Sequence, residues 1–483
     1  MAYIAAFDAG TTAVKGTLVN EAGEAVLSRS VELSTLCRDG FQEQAPQDWW
    51  AAFCEISQQF TEAVPAKDIG GIIMSGQMQD LIPLDGRLEP VCPAILYSDG
   101  RAEAQASALE ATVGAEYFLH TTGNHCDGSL PLPKLMWLKE HCPALYARTA
   151  HVLISSKDYL VARLTGVCAG DVTACATAGA MDIRRKRWDE RLLSAAGVNA
   201  GLFPTLYHPH QQVGAVLPGA AAACGYQAGT AVFAGIGDAG ATTLASGIRE
   251  PGQYNINLGT SGWVATVSDD ILLTEAGVFN LAAASEGCYI NVVPFLNAGN
   301  VHKWIAGVLG RTQEAADYEA VSSLLEASVP GSHGVLCLPY LVGERFPVLD
   351  PEARGCFFGL TSGTSAADLA RACLEGVAFS LRQGLEQFSV PPTSLSLIGG
   401  GGQEAVWCQI LADVLGHEIT VFRDTQFRAA QALAGLAYQG LGLSALPGQA
   451  EDETIYRPQE EYRTVYDSLY ARYRKLYPAL RGL

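Results

Sequence analysis

The chain carries the same short strand–loop–strand segment twice, and this repetition limits the folds open to it more than any other feature. FDAGTT at residues 7–12 lines up with INLGTS at residues 256–261, near the midpoint of the 483-residue chain. Strand-like apolar residues stand on both sides of each small polar loop. The repetition predicts a duplicated architecture of two similar α/β domains, each opening with a hairpin whose turn can hold a ligand.

Turn and strand signals place a domain boundary near the middle of the chain. Residues 3–7, 15–19 and 25–31 read as consecutive strands, which predicts a β-meander rather than a strand–helix unit. Gly247, Pro251 and Gly252 interrupt the segment at residues 241–252. We therefore expect an N-terminal domain over residues 1–243 and a C-terminal domain over residues 244–483.

Composition restricts the partners of the protein. Apolar residues make up 49% of the chain and charged residues 17%, which is typical of a globular protein. The formal net charge of −19 repels phosphate backbones and anionic membrane surfaces. We therefore expect neither a nucleic acid nor a membrane as a partner, although local amides and a lysine can still bind a small anion.

Two further features bear on the cellular setting. The uncharged stretch at residues 214–237 is long enough for a membrane helix, but Pro218, Gln227 and several glycines predict a loop plus a strand. The chain opens directly into a strand without a basic leader. The thirteen cysteines form no CxxC pair and no cluster with zinc-ligand spacing, so we expect reduced, buried thiols in a cytoplasmic protein.

Three helices are indicated in the second half. Ser365 and Asp368 have the spacing of a capping box before apolar residues at helical intervals. Residues 404–415 place Trp407 and its apolar neighbours on one helical face. Residues 462–477 predict a last helix with five tyrosines among basic residues. Such a composition also suits nucleic-acid binding, but the acidic net charge favours a helix docked on the core.

The two polar loops have the chemistry of phosphate-binding nests. Consecutive amides and hydroxyls in such a turn donate to phosphate oxygens, and glycine allows a close backbone approach. The first loop contains Asp8, Gly10, Thr11 and Thr12 with Lys15 beyond it, and the second contains Gly259, Thr260 and Ser261. A carboxylate at a strand end, here Asp8, can hold hydrated Mg²⁺. An ordinary hairpin turn is the alternative, but two facing nests would form a phosphate clamp.

Residues 235–240 read GIGDAG and match the GxGxxG dinucleotide fingerprint after a strand-like segment. The acid expected about 20 residues later is missing, because Glu250 is too near and Asp269 too far. A second interpretation treats Asp238 as the carboxylate that accepts a hydroxyl proton during phosphoryl transfer. A simple turn aspartate is the third interpretation, and the two phosphate loops favour the catalytic one.

Four glycines at residues 399–402 follow a strand-like segment and precede the helix from Glu404. They allow a flat ligand such as adenine or ribose to approach the backbone, and a plain loop is the alternative. The chain has no GxxxxGK[ST], HExxH or GxSxG segment. P-loop, zincin and serine-hydrolase chemistry are therefore not indicated.

These segments, in this order, resemble the FGGY family of carbohydrate kinases over nearly the whole chain. SLPLPKLMWLKEH at residues 129–141 fits the first family signature, and residues 355–375 fit the second except at Cys373. PYLVGER at residues 339–345 agrees as well. The resemblance implies an α/β, two-domain actin/Hsp70/ribonuclease H-like ATPase fold with a duplicated core, and with ATP and sugar in the interdomain cleft. It also implies ATP-dependent phosphorylation of a sugar or polyol hydroxyl.

The resemblance assigns expected roles to individual positions. Asp238 matches the family's catalytic base, while Asp8 is the residue expected to orient Mg²⁺ through water. The implied sugar site comprises Met78, Gln79, Asp8 and Asp238. The implied nucleotide-binding residues are Gly10, Thr11, Thr12, Lys15, Gly259, Thr260, Ser261, Gly299, Lys303, Gly400, Gly401, Gly402 and Glu404.

Within the family, SGQM at residues 75–78 is similar to the segment with which xylulokinases contact the sugar. Xylulokinases usually continue with His-Gly, whereas Gln79 and Asp80 stand here. The Gln79 amide can still donate to and accept from hydroxyls, and Asp80 reads as a turn residue. Gln403-Glu404 also departs from the usual adenosine segment. We expect phosphorylation of D-xylulose to D-xylulose 5-phosphate, with L-ribulose, gluconate and glycerol-like polyols as alternative substrates.

Two alternatives from other classes remain to be weighed. An actin/Hsp70-like ATPase without a sugar substrate would share the fold, but the two carbohydrate-kinase signatures argue against it. An inactive sugar-binding regulator would share the sugar site, but the presence of Asp238 argues against that. A sugar and ATP are thus the expected partners, and a homodimer is compatible with the sequence.

Overall fold

The computed structural model describes residues 3–38, 40–274, 277–310, 316–422, 425–443 and 453–482. Strands of the first half are β1 (Tyr3–Ala9), β2 (Ala13–Asn20), β3 (Ala25–Glu32), β4 (Leu36–Arg38), β5 (Phe41–Gln44), β6 (Ile69–Gly76), β7 (Ile82–Leu84), β8 (Ala94–Ile95), β9 (His151–Leu153), β10 (Ala169–Asp171), β11 (Met181–Asp182), β12 (Arg187–Trp188), β13 (Thr205–Tyr207), β14 (Gln212–Ala215), β15 (Ala231–Phe233) and β16 (Ile236–Gly237). Strands of the second half are β17 (Gln253–Leu258), β18 (Gly262–Ser268), β19 (Phe279–Ala282), β20 (Tyr289–Phe295), β21 (Leu336–Leu338), β22 (Cys356–Phe358), β23 (Ser394–Ile398), β24 (Ile419–Phe422) and β25 (Glu453–Tyr456).

Two seven-stranded sheets repeat one topology. The first has the order β3-β2-β1-β6-β15-β14, with β16 as an additional partner of β6, and the second has the order β19-β20-β18-β17-β23-β24-β25. In each sheet the central strand, β1 or β17, pairs antiparallel with the next strand of the chain and parallel with a later one. The duplicated architecture that the two polar loops predict is therefore confirmed.

Strand pairing in the first sheet brings distant residues to one edge. The strands expected near residues 3–7, 15–19 and 25–31 are present as β1, β2 and β3. The antiparallel β1–β2 pair places Asp8 opposite Lys15, and the parallel β1–β6 pair places Asp8 beside Ser75. Strand β16 continues this edge with Ile236 beside Ser75 and Gly237 beside Gly76. The carboxyl ends of β1, β6 and β16 therefore lie next to one another.

Helices cover the faces of both sheets, which buries the apolar sides of the strands. They are α1 (Pro46–Ala63), α2 (Glu103–Val113), α3 (Ala115–Thr122), α4 (Pro131–His141), α5 (Pro143–Arg148), α6 (Ser156–Thr165), α7 (Val172–Cys175), α8 (Glu190–Ala195), α9 (Pro218–Cys224), α10 (Asp238–Ala245), α11 (Gly299–Leu309), α12 (Tyr318–Ala327), α13 (Ala366–Leu385), α14 (Ala405–Leu415), α15 (Thr425–Gly440), α16 (Arg463–Tyr473) and α17 (Leu476–Leu480). One core joins α1, α6 and α9 to the first sheet, and another joins α13, α14 and α16 to the second.

Helix α15 links the two halves of the chain. It comes from the second half, yet its Leu433, Ala434 and Ala437 share a buried cluster with Ile4 and Ile73 of the first sheet. The halves are thus held together by an apolar contact as well as by the chain itself. The domain boundary between residues 243 and 244 stays a prediction. With that boundary, α15 belongs to the C-terminal domain and packs against the N-terminal sheet.

The capping signals in the second half are confirmed. The Ser365 side chain accepts a hydrogen bond from the Asp368 amide (3.2 Å), while the Asp368 carboxylate accepts one from the Ser365 amide (2.9 Å) at the start of α13. Glu404 caps α14, where its carboxylate accepts from the Val406 amide (3.2 Å). Each side chain satisfies an amide that would otherwise lack a partner in the first helical turn.

Two local predictions are wrong in part. Residues 214–237 contain helix α9 besides strands, because an alanine run lies between Pro218 at its first turn and Gly225 in a left-handed cap. The helix expected over residues 462–477 divides into α16 and α17. Pro478 cannot donate to the Arg474 carbonyl, and its ring crowds that carbonyl, which favours the break between α16 and α17.

The expected docking of this C-terminal segment is confirmed. Tyr466, Tyr470 and Tyr473 are buried in the core of the second sheet. Within the described parts of the chain, no helix combines the length and apolar character required to cross a bilayer.

Candidate active site

Asp8 is the first acid at the strand-end edge of the N-terminal sheet. It lies at the end of β1, where the Ser75 hydroxyl donates to its Oδ1 (2.8 Å). Burial raises the pKa of the Asp8 carboxyl, while the Ser75 hydrogen bond and the Lys15 charge oppose this effect only in part. The carboxylate is therefore held in one orientation beside a single lysine.

Asp238 is the second acid at this edge and begins α10 directly after β16. Its side chain is accessible to solvent, and the surrounding protein still desolvates its carboxyl. Burial within the cleft raises the pKa of Asp238 to about 7, and the carboxyls of Asp8 and Asp171 add to this rise. A hydrogen bond from the Ala239 amide (2.7 Å) acts in the opposite direction. Such a carboxyl can take up and release a proton near neutral pH.

The backbone before Asp238 lies close to the Met78 side chain and to helix α7 at position 237. A Cβ at Gly237 would lie 2.0 Å from the Met78 sulfur and 3.3 Å from the Ala174 Cα. Ala174 belongs to α7, which Asp171 caps by accepting from the amides of Thr173 (2.9 Å) and Ala174 (3.1 Å). The buried Lys157 ammonium in turn lies 2.7 Å from Asp171 Oδ2. Helix α7 and the groups that anchor it therefore pack beside the strand end that precedes Asp238.

Two of the four expected sugar residues, Met78 and Gln79, lie on the segment after β6, beside this glycine. Met78 is buried against Gly237, and the Gln79 amide donates to the Ser129 hydroxyl (2.6 Å). Gln79 has a φ of 65°, a left-handed conformation that is uncommon for a residue with a side chain. Asp80 was expected to be a turn residue, which is usually exposed, but its side chain is fully buried.

Side chains from other elements hold the first polar loop in place. The Thr11 hydroxyl donates to Gln77 Oε1 (2.6 Å), and Gln44 donates to the Thr11 carbonyl (2.7 Å). Gly10 closes the turn through a hydrogen bond from its amide to the Ala13 carbonyl (3.1 Å). Thr12 stays exposed. The loop is therefore braced from behind while its outer side faces solvent.

Residues from the two sheets line a common cavity. It has a volume of about 230 Å³, with Asp8 and Lys15 from the first sheet and Asn257 and Gly399 from the second. Asn257 is the counterpart of Asp8 in the repeated segment. The edges that carry the two polar loops therefore border one cavity, and the phosphate clamp between the loops stays a prediction.

A larger cavity of about 560 Å³ lies in the C-terminal half. It brings together seven residues expected at the nucleotide site, namely Gly259, Thr260, Gly299, Lys303, Gly400, Gly401 and Glu404. Ser261 and Gly402 are outside this lining, and Gly402 is turned toward Val421 of β24. The volume falls in the range of small-molecule sites.

Close contacts between glycines shape this cavity. The Gly299 amide donates to the Gly259 carbonyl (2.8 Å), and a Cβ at Gly299 would lie 2.4 Å from that oxygen. A Cβ at Gly401 would lie 2.7 Å from the Leu258 Cβ. The second polar loop, the start of α11 and the glycine run are therefore in contact, although they are far apart in the sequence.

The aromatic part of the cavity was not singled out from the sequence. The His302 ring contacts Tyr318 (centroids 5.0 Å apart) and Trp407 (5.5 Å), and all three line the cavity. Glu404 accepts a hydrogen bond from Ser322 at the same place. The sequence indicated only that Trp407 lies on the apolar face of a helix. His302 follows Gly299 by about one helical turn, and this spacing predicts only weakly that His302 lines the cavity.

The acids at the edge of the first sheet suit a hydrated divalent cation. Burial and the Asp8 carboxyl raise the pKa of Asp238, and a divalent cation would offset this repulsion. In the described ranges, no group of three or more histidine, cysteine, aspartate or glutamate side chains could form a full protein cage. This donor set fits Mg²⁺, which keeps several waters and takes one or two carboxylates together with phosphate oxygens.

Comparison with known proteins gives a consistent result. Models of the N- and C-terminal domains of the FGGY family of carbohydrate kinases match residues 3–245 and 254–441. The chain is 32% identical to xylulose kinase of Escherichia coli K12, over 99% of both chains.

Solved structures with similar folds include two kinases from Lactobacillus acidophilus. A ligand-bound xylulose kinase has a TM-score of 0.90 and 26% identity, over 99% of this chain and 98% of that chain. A gluconate kinase has a TM-score of 0.90 and 27% identity, also over 99% and 98%. This chain belongs to the FGGY family of carbohydrate kinases and has the two-domain, actin/Hsp70/ribonuclease H-like fold that its sequence motifs implied.

Proposed function

We propose that this carbohydrate kinase transfers the γ-phosphoryl group of ATP to D-xylulose and forms D-xylulose 5-phosphate. The observation that carries the proposal is the position of Asp238, which lies beside the Met78–Gln79 segment at the edge that Asp8 shares. The similarity to xylulose kinases along the whole chain supports the choice of sugar.

Asp238 is the proposed catalytic base. With a pKa of about 7, a large fraction of its carboxyl is ionised at neutral pH and can accept a proton from the attacking hydroxyl. The hydroxyl oxygen then forms a bond to the γ-phosphorus as the bond to the ADP oxygen breaks. Positioning and charge neutralisation supply most of the rate in such transfers, so the fixed backbone at Gly237 matters as much as the proton.

ATP is proposed to span both cavities. The adenosine would lie in the larger one among Tyr318, Trp407 and the glycine run, and the phosphates would reach the Thr11–Thr12 and Thr260–Ser261 loops. Asp8 would hold hydrated Mg²⁺, which when bound neutralises charge on the transferring phosphates. Lys15 lines the smaller cavity and adds a cation there.

Gluconate is the main alternative substrate, because a gluconate kinase is among the solved structures with a similar fold. Its carboxylate would enter a region in which burial and the Asp8 carboxyl raise the pKa of Asp238, and in which burial and the Asp238 charge raise the pKa of Asp80. Like charges across a binding site are strongly unfavourable. A neutral sugar such as a ketose therefore fits this site better than an aldonate.

We also propose a cytoplasmic location. All thirteen cysteines are thiols in the structure, which is in keeping with a reducing compartment. Assembly into a homodimer is compatible with this proposal but does not follow from it, because the residues that form the proposed site come from one chain.

Replacement of the proposed base tests the mechanism. Asp238→Asn should lower kcat by about 10²–10⁴-fold, because proton removal from the hydroxyl is lost. ATP binding, measured by calorimetry, should stay close to that of the wild type. Near-normal turnover in a coupled ADP-release assay would contradict the assignment.

The pH dependence of the reaction provides an independent test. Only the ionised carboxylate can act as a base, so kcat/KM for the sugar should fall as the pH decreases through about 7. The residual activity of Asp238→Asn should lack this decline. A wild-type profile that stays level from about pH 5 to 8 would refute the assignment of Asp238 as the group that titrates.

A substrate panel tests the choice of sugar. With D-xylulose, L-ribulose, gluconate and glycerol, kcat/KM should be highest for D-xylulose and at least about tenfold lower for gluconate, a difference of about 1.4 kcal/mol. A preference for gluconate would overturn the charge argument. ADP release that does not depend on added sugar would instead point to an ATPase.

A glycine at the larger cavity tests the nucleotide site. Gly299→Ala forces the Gly259 carbonyl to move, so the KM for ATP should rise by about tenfold while the KM for the sugar stays unchanged. Gly307→Ala on the same helix is the matched control, because an added Cβ there meets nothing within 4 Å. An equal response of both variants would place the nucleotide elsewhere.

A further inference from the structure

Gln79 holds an unfavourable backbone conformation next to the proposed base. Its φ of 65° lies in the left-handed region of backbone conformations, which residues with a Cβ rarely adopt. Such a conformation persists only where neighbouring groups impose it, and residues of this kind are common at ligand sites. The contacts that impose it on Gln79 therefore also control where its amide points.

A buried lysine holds the carbonyl of this residue. Lys134 on α4 is fully buried, and its ammonium donates to the carbonyls of Gln79 (3.1 Å) and Leu96 (2.7 Å). The segment after β6 is thereby tied to the segment after β8. An uncharged side chain at position 134 would leave two buried carbonyls without this donor.

The residue after Gln79 is anchored as firmly. Asp80 is fully buried, its amide donates to the Ile154 carbonyl (3.0 Å), and its Oδ1 accepts from the Tyr97 amide (3.0 Å). Its Oδ2 has no hydrogen-bond partner among the described residues. Burial raises the pKa of Asp80 well above its usual value, and the Asp238 charge adds to this rise. The Lys134 ammonium is the main group that opposes the rise, and the Tyr97 amide and the Gln77 side chain act in the same direction as Lys134.

Other charged groups near Lys134 have partners of their own. Those that act on it are Asp80, Asp99, Asp127 and Arg101. Asp99 is engaged by Arg101 at 2.6 Å, and Asp127 accepts from the Ser129 amide (2.7 Å). Asp80 is thus the acid whose charge is balanced mainly by Lys134.

We propose that Asp80 and Lys134 are positioning residues that lock Gln79 in its left-handed conformation, so that its amide presents a hydrogen-bonding group to the sugar. The proposal rests on the proposed sugar site. Neither side chain touches the sugar: Lys134 acts through the Gln79 carbonyl, and Asp80 acts by balancing the Lys134 charge and by anchoring the next backbone unit.

The pair gives a measurable pH signature. Burial lowers the pKa of Lys134 to about 8, and Asp80 opposes this decrease. Above that pH the ammonium loses its charge and holds the Gln79 carbonyl less strongly. The KM for the sugar should therefore rise above about pH 8, while the KM for ATP should not follow it. Without the Asp80 charge the same rise should begin at a lower pH.

The test compares Asp80→Asn with the wild type at several pH values. Asparagine keeps the size of the side chain and an oxygen for the Tyr97 amide, but it removes the charge. We expect the KM for the sugar to rise by about tenfold at neutral pH with little change in the KM for ATP, and the onset of the pH effect to move downward. Asp413→Asn is the matched control, because Asp413 is also a buried acid that accepts from a main-chain amide, that of Gln459 (2.8 Å).

Gln79→Ala separates this inference from the proposed function. If it raises the KM for the sugar but Asp80→Asn does not, the positioning role is wrong and the sugar site stands. If Gln79→Ala leaves the KM for the sugar unchanged, the sugar site itself is wrong. Should Asp80→Asn fail to fold, the wild-type profile decides, because a KM for the sugar that stays constant through the titration of Lys134 would overturn the proposal.

Discussion

Parallel pairing of strand ends is the constraint on which the site depends. Asp8, Ser75 and Gly237 come from three distant parts of the chain, and the register of β1, β6 and β16 brings them together. Side chains that follow the carboxyl ends of parallel strands share one edge of a sheet, so ligands commonly bind there. Because the second sheet repeats this topology, its own loop and glycine run form a facing edge, and the space between the edges can hold a nucleotide and a sugar.

The electrostatics of this edge follow from crowding acids into a partly enclosed space. Burial raises the pKa of both Asp8 and Asp238, and the Asp8 carboxyl adds to the rise at Asp238. The proposed base at Asp238 thereby owes its raised pKa to the fold rather than to an unusual residue type. The net charge of −19 is compatible with the proposed phosphate site, since Lys15 supplies a local cation to the cavity between the sheets.

Much of the fold and part of the site could be predicted because their signals are local. The hairpins, the Ser365 capping box and Glu404 at the start of α14 depend on neighbouring residues, and the structure contains each of them. The burial of Asp80 could not be read from its neighbours, because it results from contacts with strand and helix segments more than fifteen residues away. The aromatic lining at His302 and Trp407 likewise depends on two helices that meet only in three dimensions.

The sequence by itself determined the family, the duplicated α/β plan and the acid at position 238, because each rests on residues that are adjacent in the chain. Tertiary structure alone decided which groups surround that acid and how far its pKa rises. It also decided that the Lys134 ammonium donates a hydrogen bond to the Gln79 carbonyl. The physical reason is that desolvation and charge coupling depend on distances through space, which strand register and helix packing set and which no short stretch of sequence encodes.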